Sequence, residues 1–249
     1  MLIDTHCHIL SSEYDDAHKI IEEAFKSGVD KLIINGFDIE SSDEAVRLAE
    51  KYDNVYAAVG IGPENIDLSD GAIKKIDELS RNDKVVAIGE IGLDYYWTTD
   101  TKDDQIKLFN KMLKIAQARN LPVIVHSRKA AQDTYNYLNE YNVKGILHCY
   151  SGSTEMAKRF IDLGFLLGIG GVITFKNAKE LKEVVSTYEV ENFALETDSP
   201  YLSPEPFRGQ KNTPKNIKLV AEKIAEIKDL KYEEILDKTG RSVTQLFDL

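Results

Sequence analysis

Short apolar segments alternate with amphipathic helical patterns along the whole chain, and this alternation constrains the fold more than any other feature of the sequence. The segments are short and often continuously apolar, as are strands of a parallel sheet that are buried on both faces. The eight segments lie at residues 2–5, 31–34, 55–61, 85–90, 122–126, 145–148, 165–169 and 193–196. The pattern predicts an α/β protein with a parallel sheet.

The helical patterns between these segments carry recognisable end signals. Over residues 17–25, apolar residues recur with the spacing of a helix that packs one face on a core, and Gly28 follows where glycine often ends a helix. The stripe over residues 217–225 follows Thr213 and Pro214, which we predict to be the N-cap and first residue of that helix. His18 falls within the first helix, so we expect it on the surface.

Eight strand–helix units in 249 residues are typical of a (β/α)8 TIM barrel, and the alternative is an open doubly wound sheet. An open sheet would draw its site from a few strands beside one crevice. Here polar residues able to bind metals follow the first, fourth, fifth, sixth and eighth segments, and a closed ring brings all these ends together. We therefore predict one barrel domain over residues 1–249.

The candidate ligands include four of the five histidines in the chain. Imidazoles and carboxylates are the ligands of borderline divalent metals. Because they are two residues apart on a strand, His6 and His8 present both imidazoles on one face, about 7 Å apart along the chain. Asp4 shares that face, and we expect it to orient a histidine from behind. The six predicted metal ligands are His6, His8, Glu90, His126, His148 and Asp198.

Six ligands exceed the three that a catalytic zinc site uses, and they fit two metal ions. We assign His6, His8 and Asp198 to one ion and the other two histidines to the second, with Glu90 shared between them. Glu90 and Asp198 are the predicted catalytic residues, and Asp198 is also a candidate acceptor for the proton of the attacking water. The mixed ligand set suits Zn, Mn, Ni or Fe, and Mg where phosphate supplies oxygens.

The two cysteines, Cys7 and Cys149, each adjoin a candidate ligand histidine. If the histidines point to one side of a strand, the cysteines point to the other. We therefore predict that both cysteines are small buried apolar residues rather than metal ligands or a disulfide.

The formal net charge of −11 argues against a protein that reads nucleic-acid sequence, since such domains are usually basic. It does not exclude an enzyme that acts on phosphates, because bound divalent ions change the local field. The sequence has no apolar run long enough to span a membrane and no secretory start, so we expect a cytoplasmic protein. No obligate protein partner is evident.

A basic segment follows the eighth strand-like segment. Residues 206–215 contain three cations and no acid, and they lead towards a helix N-terminus. Arginine forks and helix N-termini both favour phosphate, and the last loops of barrels often bind it. We predict substrate contacts from this loop and from the segment after His126; the alternative is a solvated basic loop. The predicted contacts are Arg128, Arg208, Lys211 and Asn212.

Six segments together resemble the TatD family of metal-dependent deoxyribonucleases. They are THCH at 5–8, GEIGLDY at 89–95, VHSR at 125–128, HCYSG at 148–152, ETDSPYL at 196–202 and the loop 206–214. They occur in family order over nearly the whole chain. The resemblance implies a (β/α)8 barrel of the amidohydrolase superfamily that hydrolyses DNA phosphodiester bonds, often as an exonuclease on ends or single strands. All six metal positions match.

The chain departs from the family pattern at two positions. Gly62 stands where the family usually has the histidine of a Gly-x-His-Pro motif, which is expected to hold or polarise the substrate phosphate. Trp97 stands where a basic residue is common, and an aromatic side chain there can stack on a base or serve in packing.

Two other functions remain open from the sequence. The same metal centre could act on a small ester, lactone or amide, as other amidohydrolases do. A non-catalytic metal-binding protein is the third possibility, and metal-dependent turnover of any diester would eliminate it.

Overall fold

A computed structural model describes residues 1–97 and 99–249. Within these residues, eight parallel strands form one sheet in the order of the sequence. The strands are β1 (Ile3–Cys7), β2 (Lys31–Asn35), β3 (Val55–Val59), β4 (Val85–Asp94), β5 (Val123–Arg128), β6 (Gly145–Leu147), β7 (Leu166–Ile169) and β8 (Phe193–Leu195). Every predicted strand segment therefore contains a strand.

The helices lie between the strands and after β8. They are α1 (Ala17–Lys26), α2 (Ile39–Ala49), α3 (Asp70–Leu79), α4 (Lys102–Arg119), α5 (Ala131–Glu140), α6 (Thr154–Asp162), α7 (Lys179–Thr187), α8 (Ile217–Lys228) and α9 (Tyr232–Phe247). Short 3-10 turns occur at Gly171–Thr174, Val190–Asn192 and Pro214–Asn216. No helix within the described residues is long and apolar enough to cross a membrane.

The sheet curls so that β8 meets β1. An isolated parallel bridge joins Cys7 to Ser199, and the Thr5 hydroxyl donates to the Leu195 carbonyl at 2.9 Å. Two backbone bonds extend this seam, from Asp198 N–H to the His6 carbonyl and from His8 N–H to the Ser199 carbonyl. The predicted (β/α)8 barrel is confirmed, and its strands form a nearly closed ring.

Apolar side chains fill the barrel interior and the layer between strands and helices. One residue early in each of several strands, such as Ile3, Ile33 and Ile124, belongs to the inner cluster, which α9 completes with Val243 and Phe247. The larger cluster packs the helices against the outside of the strands. The carboxyl-terminal end of the barrel is left for polar residues, as in other barrels of this type.

The ends of some elements differ from the prediction. The fourth strand continues past residue 90 to Asp94. Gly28 has a left-handed φ of 94° just after α1, and His18 is exposed, as predicted. Thr213 and Pro214 occupy the N-cap and first position as predicted, but of the 3-10 turn Pro214–Asn216 that leads directly into α8, and the buried Thr213 hydroxyl makes no capping hydrogen bond.

Candidate metal centre

The structure brings all six predicted ligands together at the carboxyl ends of the strands. Five of them line a cavity of about 630 Å³, and His6 lies fully buried behind the cavity wall. His6 and His8 belong to β1 or follow it directly, Glu90 lies on β4 and His126 on β5. His148 and Asp198 lie just beyond β6 and β8.

Four of these side chains converge on one point. The Nε2 atoms of His6 and His8 are 3.1 Å apart, and they lie 3.4 and 3.5 Å from Oε2 of Glu90. Oδ1 of Asp198 lies 3.7 and 3.6 Å from the same two nitrogens. Ligands at 2.0–2.1 Å from a tetrahedral ion are about 3.3 Å from one another. The spacing therefore fits a single metal ion.

The second oxygen of Glu90 faces a different pair of histidines. Its Oε1 lies 3.0 Å from Nδ1 of His126 and 3.7 Å from Nε2 of His148. These three side chains also form a group with the spacing of metal ligands. The two oxygens of one carboxylate thus point at two neighbouring groups of donors.

Contacts with the backbone and between rings position three of the imidazoles. The Asn35 carbonyl can only accept, so Nδ1 of His8, at 2.9 Å, carries the proton and leaves Nε2 free as a ligand. The ring of His6 stacks on that of His148, with centroids 3.7 Å apart and planes 17° apart. Both rings are buried, so their ligand nitrogens are held in place.

Two buried carboxylates contact His126 and His148 from behind, a role that the sequence pattern did not indicate. Oδ2 of Asp94 lies 2.9 Å from Nε2 of His126. Oε1 of Glu196 lies 3.4 Å from Nδ1 of His148. Carboxylates in this position orient metal-binding histidines and raise their basicity. Their places at or just beyond the ends of β4 and β8 were the available signal.

Two glycines make room for this arrangement. A Cβ on Gly92 would lie 2.0 Å from the His126 carbonyl oxygen, so glycine there lets β4 approach β5 closely. A Cβ on Gly168 would lie 2.4 Å from Oε2 of Glu196, so the Glu196 carboxylate occupies space that any other residue would fill.

The carboxylates at the centre are ionised. Burial acts to raise the pKa of Glu90, but His148, His126 and His6 together hold it well below its usual range. Burial likewise acts to raise the pKa of Asp198. The contact of Asp198 with His8, together with the nearby imidazoles of His148 and His6, lowers its pKa below the usual value. Buried ionised carboxylates beside imidazole nitrogens form a donor set that a divalent cation satisfies.

Asp4 does not orient a histidine ring, and that expectation is corrected. It is fully buried, and its Oδ1 accepts from the Thr197 N–H at 3.0 Å and from the His6 backbone N–H at 3.3 Å. Its Oδ2 accepts from the Thr197 hydroxyl at 2.6 Å. Asp4 therefore holds the backbone next to Asp198, which has a left-handed φ of 53° that costs a non-glycine residue about 1–2 kcal/mol.

The cysteine prediction holds for one residue only. Cys7 is fully buried, with Sγ 3.4 Å from the Ile33 carbonyl oxygen. Cys149 is partly exposed and lines the cavity, and it forms a possible metal-binding group with His148 and Glu196. Cys149 does not alternate with His148 as in a strand, because β6 ends before it and its φ of 44° lies outside the extended region.

Of the four predicted substrate contacts, the structure brings Arg128 to the cavity. Arg208 and Lys211 are exposed beyond the cavity lining, with Arg208 over the Phe175 ring at 4.3 Å. Lys211 donates to the Glu13 carbonyl. Roles for these two residues in substrate binding stay predictions.

Asn212 has a different position from the one we expected. It is fully buried, and its amide donates to the carbonyls of Thr197 and Tyr201, each at 2.9 Å. Its side-chain oxygen accepts from the Thr213 N–H and the Asn216 amide. Asn212 therefore shapes the loop after β8, and its side chain is not available to a substrate in this conformation.

Gly62 and Trp97 both line the cavity. A Cβ on Gly62 would meet its nearest neighbours, Phe37 and the Glu90 carbonyl oxygen, at 3.6–3.8 Å, which is ordinary contact. The cavity therefore has space where the family histidine would begin.

A barrel with a histidine–carboxylate cluster at the carboxyl ends of its strands defines the class: a metal-dependent hydrolase. The family model described as TatD related DNase matches residues 3–248. The protein named "uncharacterized metal-dependent hydrolase YabD" of Bacillus subtilis is 42% identical over 252 residues, which cover 99% of each chain. The chain belongs to the TatD family.

Solved structures agree with this assignment. The crystal structure of YjjV, a TatD homolog from Escherichia coli K12, matches with a TM-score of 0.93 and 32% identity, covering 100% of this chain and 98% of that one. An organophosphorus hydrolase from Deinococcus radiodurans matches with a TM-score of 0.64 and 12% identity, covering 99% of this chain and 92% of that one. The second likeness concerns the barrel fold alone.

Proposed function

We propose that this protein is a two-metal phosphodiesterase that cleaves DNA at ends or in single strands. The observation that carries the proposal is the position of Glu90, whose Oε2 faces His6 and His8 while its Oε1 faces His126 and His148. A carboxylate so placed can bridge two ions, the arrangement used by many phosphodiester-cleaving enzymes.

In this proposal, His6, His8 and Asp198 hold one ion, His126 and His148 hold the other, and Glu90 is shared. Divalent ions bound there supply a Lewis acid for the phosphoryl oxygens and lower the pKa of water. Zn, Mn, Ni and Fe suit this mixed donor set, and Mg suits it when phosphate adds oxygens.

The protein's own groups provide proton transfer and orientation. Asp198 lines the cavity and its pKa is lowered, so its carboxylate is ionised at neutral pH and can accept the proton of the attacking water. Asp94 lies within hydrogen-bond distance of His126, and Glu196 lies within ion-pair distance of His148. Carboxylates in such positions help to orient the histidine rings.

Three features favour a DNA phosphodiester as substrate. The matching family model is described as a DNase. Arg128 supplies a cation on the cavity wall of an otherwise acidic chain. Exposed aromatic rings of Trp97 and Tyr201 also line the cavity, and such rings stack on unpaired bases.

The open space at Gly62 favours a second candidate, a small ester or lactone. The deciding experiment is a metal-reconstituted screen of end-labelled single- and double-stranded DNA, RNA, a small phosphodiester and a lactone. We expect turnover of DNA and of the small diester that Glu90→Gln abolishes. Turnover of the lactone with none of any diester would overturn the proposal.

Arg128 and Arg208 form a matched pair for testing the phosphate contact. Arg128→Ala removes a cation from the cavity, and we expect it to lower kcat/KM for DNA by about 10- to 100-fold, the value of a charged hydrogen bond. Arg208→Ala removes an arginine stacked outside the cavity lining, and we expect a smaller loss. A larger loss for Arg208→Ala than for Arg128→Ala would indicate that the loop after β8, rather than the cavity wall, binds the substrate phosphate.

A further inference from the structure

Tyr96, Trp97 and Arg128 form a stacked group at the edge of the cavity, which we call the platform. The Arg128 guanidinium lies 3.8 Å from the centroid of the Tyr96 ring and 5.1 Å from that of Trp97. The two aromatic rings meet edge to face, with centroids 4.9 Å apart. Tyr96 is 51% exposed and Trp97 67% exposed, so both rings have large accessible surfaces, and Trp97 and Arg128 also line the cavity.

The platform is attached directly to the metal centre. Arg128 follows His126 by two residues on β5, so both side chains leave the same face of the strand, about 7 Å apart along the chain. Asp94 accepts from the Tyr96 N–H through Oδ1 at 2.8 Å, while its Oδ2 lies 2.9 Å from His126. One carboxylate therefore positions a metal ligand and the platform together.

We propose that the platform binds an unpaired nucleobase of the nucleotide beside the scissile phosphate. The inference rests on the proposed function and names the subsite that selects unpaired DNA. Exposed aromatic faces stack on bases without reading their sequence, and they require a base whose face is free. A guanidinium stacked on a ring keeps its edge N–H groups for a phosphate.

The location of Trp97 supports this assignment. It lines the 630 Å³ cavity, which holds Glu90 and His126, and also an adjoining groove of about 510 Å³. Because one cavity joins Trp97 to the ligand cluster, one DNA strand can place a base on the platform and a neighbouring phosphate at that cluster. Bases inside a duplex have both faces covered by their neighbours, so we expect single strands and frayed ends to be the preferred substrates.

A terminal abasic residue tests this subsite, because it removes the base and keeps the phosphodiester. On metal-loaded protein, stacking worth about 1–3 kcal/mol corresponds to a loss of about 5- to 150-fold in kcat/KM for the abasic end. Trp97→Ala should show the same loss on the normal end and little further loss on the abasic end. Trp97→Phe should keep most of the activity. The control Phe207→Ala removes an exposed ring outside the cavity lining and should change neither rate.

A second readout does not depend on turnover. Trp97 is the only tryptophan in the chain, so intrinsic fluorescence reports on the platform directly. A short phosphorothioate-linked oligothymidylate, which resists hydrolysis, should quench this fluorescence, and its fully abasic counterpart should not. Quenching without any DNA cleavage would support the platform and contradict the proposed function. Equal quenching by both oligonucleotides, or an equal loss for Trp97→Ala on normal and abasic ends, would overturn the platform.

Discussion

Asp4→Ala tests whether the barrel seam holds the first group of donors in place. The substitution removes the acceptor of the Thr197 N–H, the Thr197 hydroxyl and the His6 N–H, all in a fully buried site. The hydroxyl keeps a contact with Ser199 Oγ at 3.0 Å, so two backbone donors are left without a partner. Each such donor costs about 1–3 kcal/mol.

Part of this cost is offset. Burial raises the pKa of Asp4 to about 8, so the carboxyl is itself unfavourable to bury. We therefore expect a net loss of about 2–4 kcal/mol in the free energy of unfolding. At about 2–4 °C per kcal/mol for a chain of this size, the melting temperature should fall by about 4–16 °C.

The assay combines thermal unfolding with hydrogen exchange at the Thr197 amide and metal titration. Asp4→Asn keeps an acceptor of nearly the same shape and should lose much less stability. Because Thr197 precedes Asp198, Asp4→Ala should also weaken metal binding by His6, His8 and Asp198. A variant that melts within about 1 °C of the wild type, with unchanged exchange at Thr197, would refute this reasoning.

Three further predictions follow from the same structure. Glu90→Gln should abolish hydrolysis and lower the bound metal from about two equivalents per chain, as measured by elemental analysis of the saturated protein; full stoichiometry would contradict the shared-ligand assignment. A Cβ at position 62 meets only ordinary contact distances, so Gly62→His should fold normally. If the family histidine aids phosphate chemistry, this variant should raise kcat/KM for DNA, by at most the roughly 10²–10⁴-fold that a positioned acid contributes, and no gain would count against that role. The Arg119 side chain donates to both carboxylate oxygens of Asp77 and lowers the pKa of that carboxyl. The ion pair therefore stabilises the fold above pH about 4, and this stabilisation is lost as the pH falls through the lowered pKa of Asp77. Arg119→Ala should thus lower the free energy of unfolding by about 1 kcal/mol at neutral pH and by little in acid, as measured by denaturant titration. An equal loss at the two pH values would exclude the ion pair as the source of the stability.

The sequence by itself determined the barrel and the grouping of the six candidate ligands. Alternation of apolar strand segments with helical stripes is a local pattern, and parallel strands must place their carboxyl ends at one edge. His6, Glu90 and His148 could therefore be grouped although they are far apart in the chain. Residue chemistry then made them candidate metal ligands.

Only the tertiary structure decided which atoms face each other. β4 runs on to Asp94 and β6 ends at Leu147, so Asp94 lies beside His126 and Cys149 turns into the cavity. Asn212 is held between carbonyls and Arg208 stacks outside the cavity lining, although both belong to a basic loop. Periodicity specifies the face on which a residue lies within an element. Where a strand stops, and which hydrogen bonds a loop makes, depend on contacts between segments distant in the chain, and local patterns do not encode these contacts.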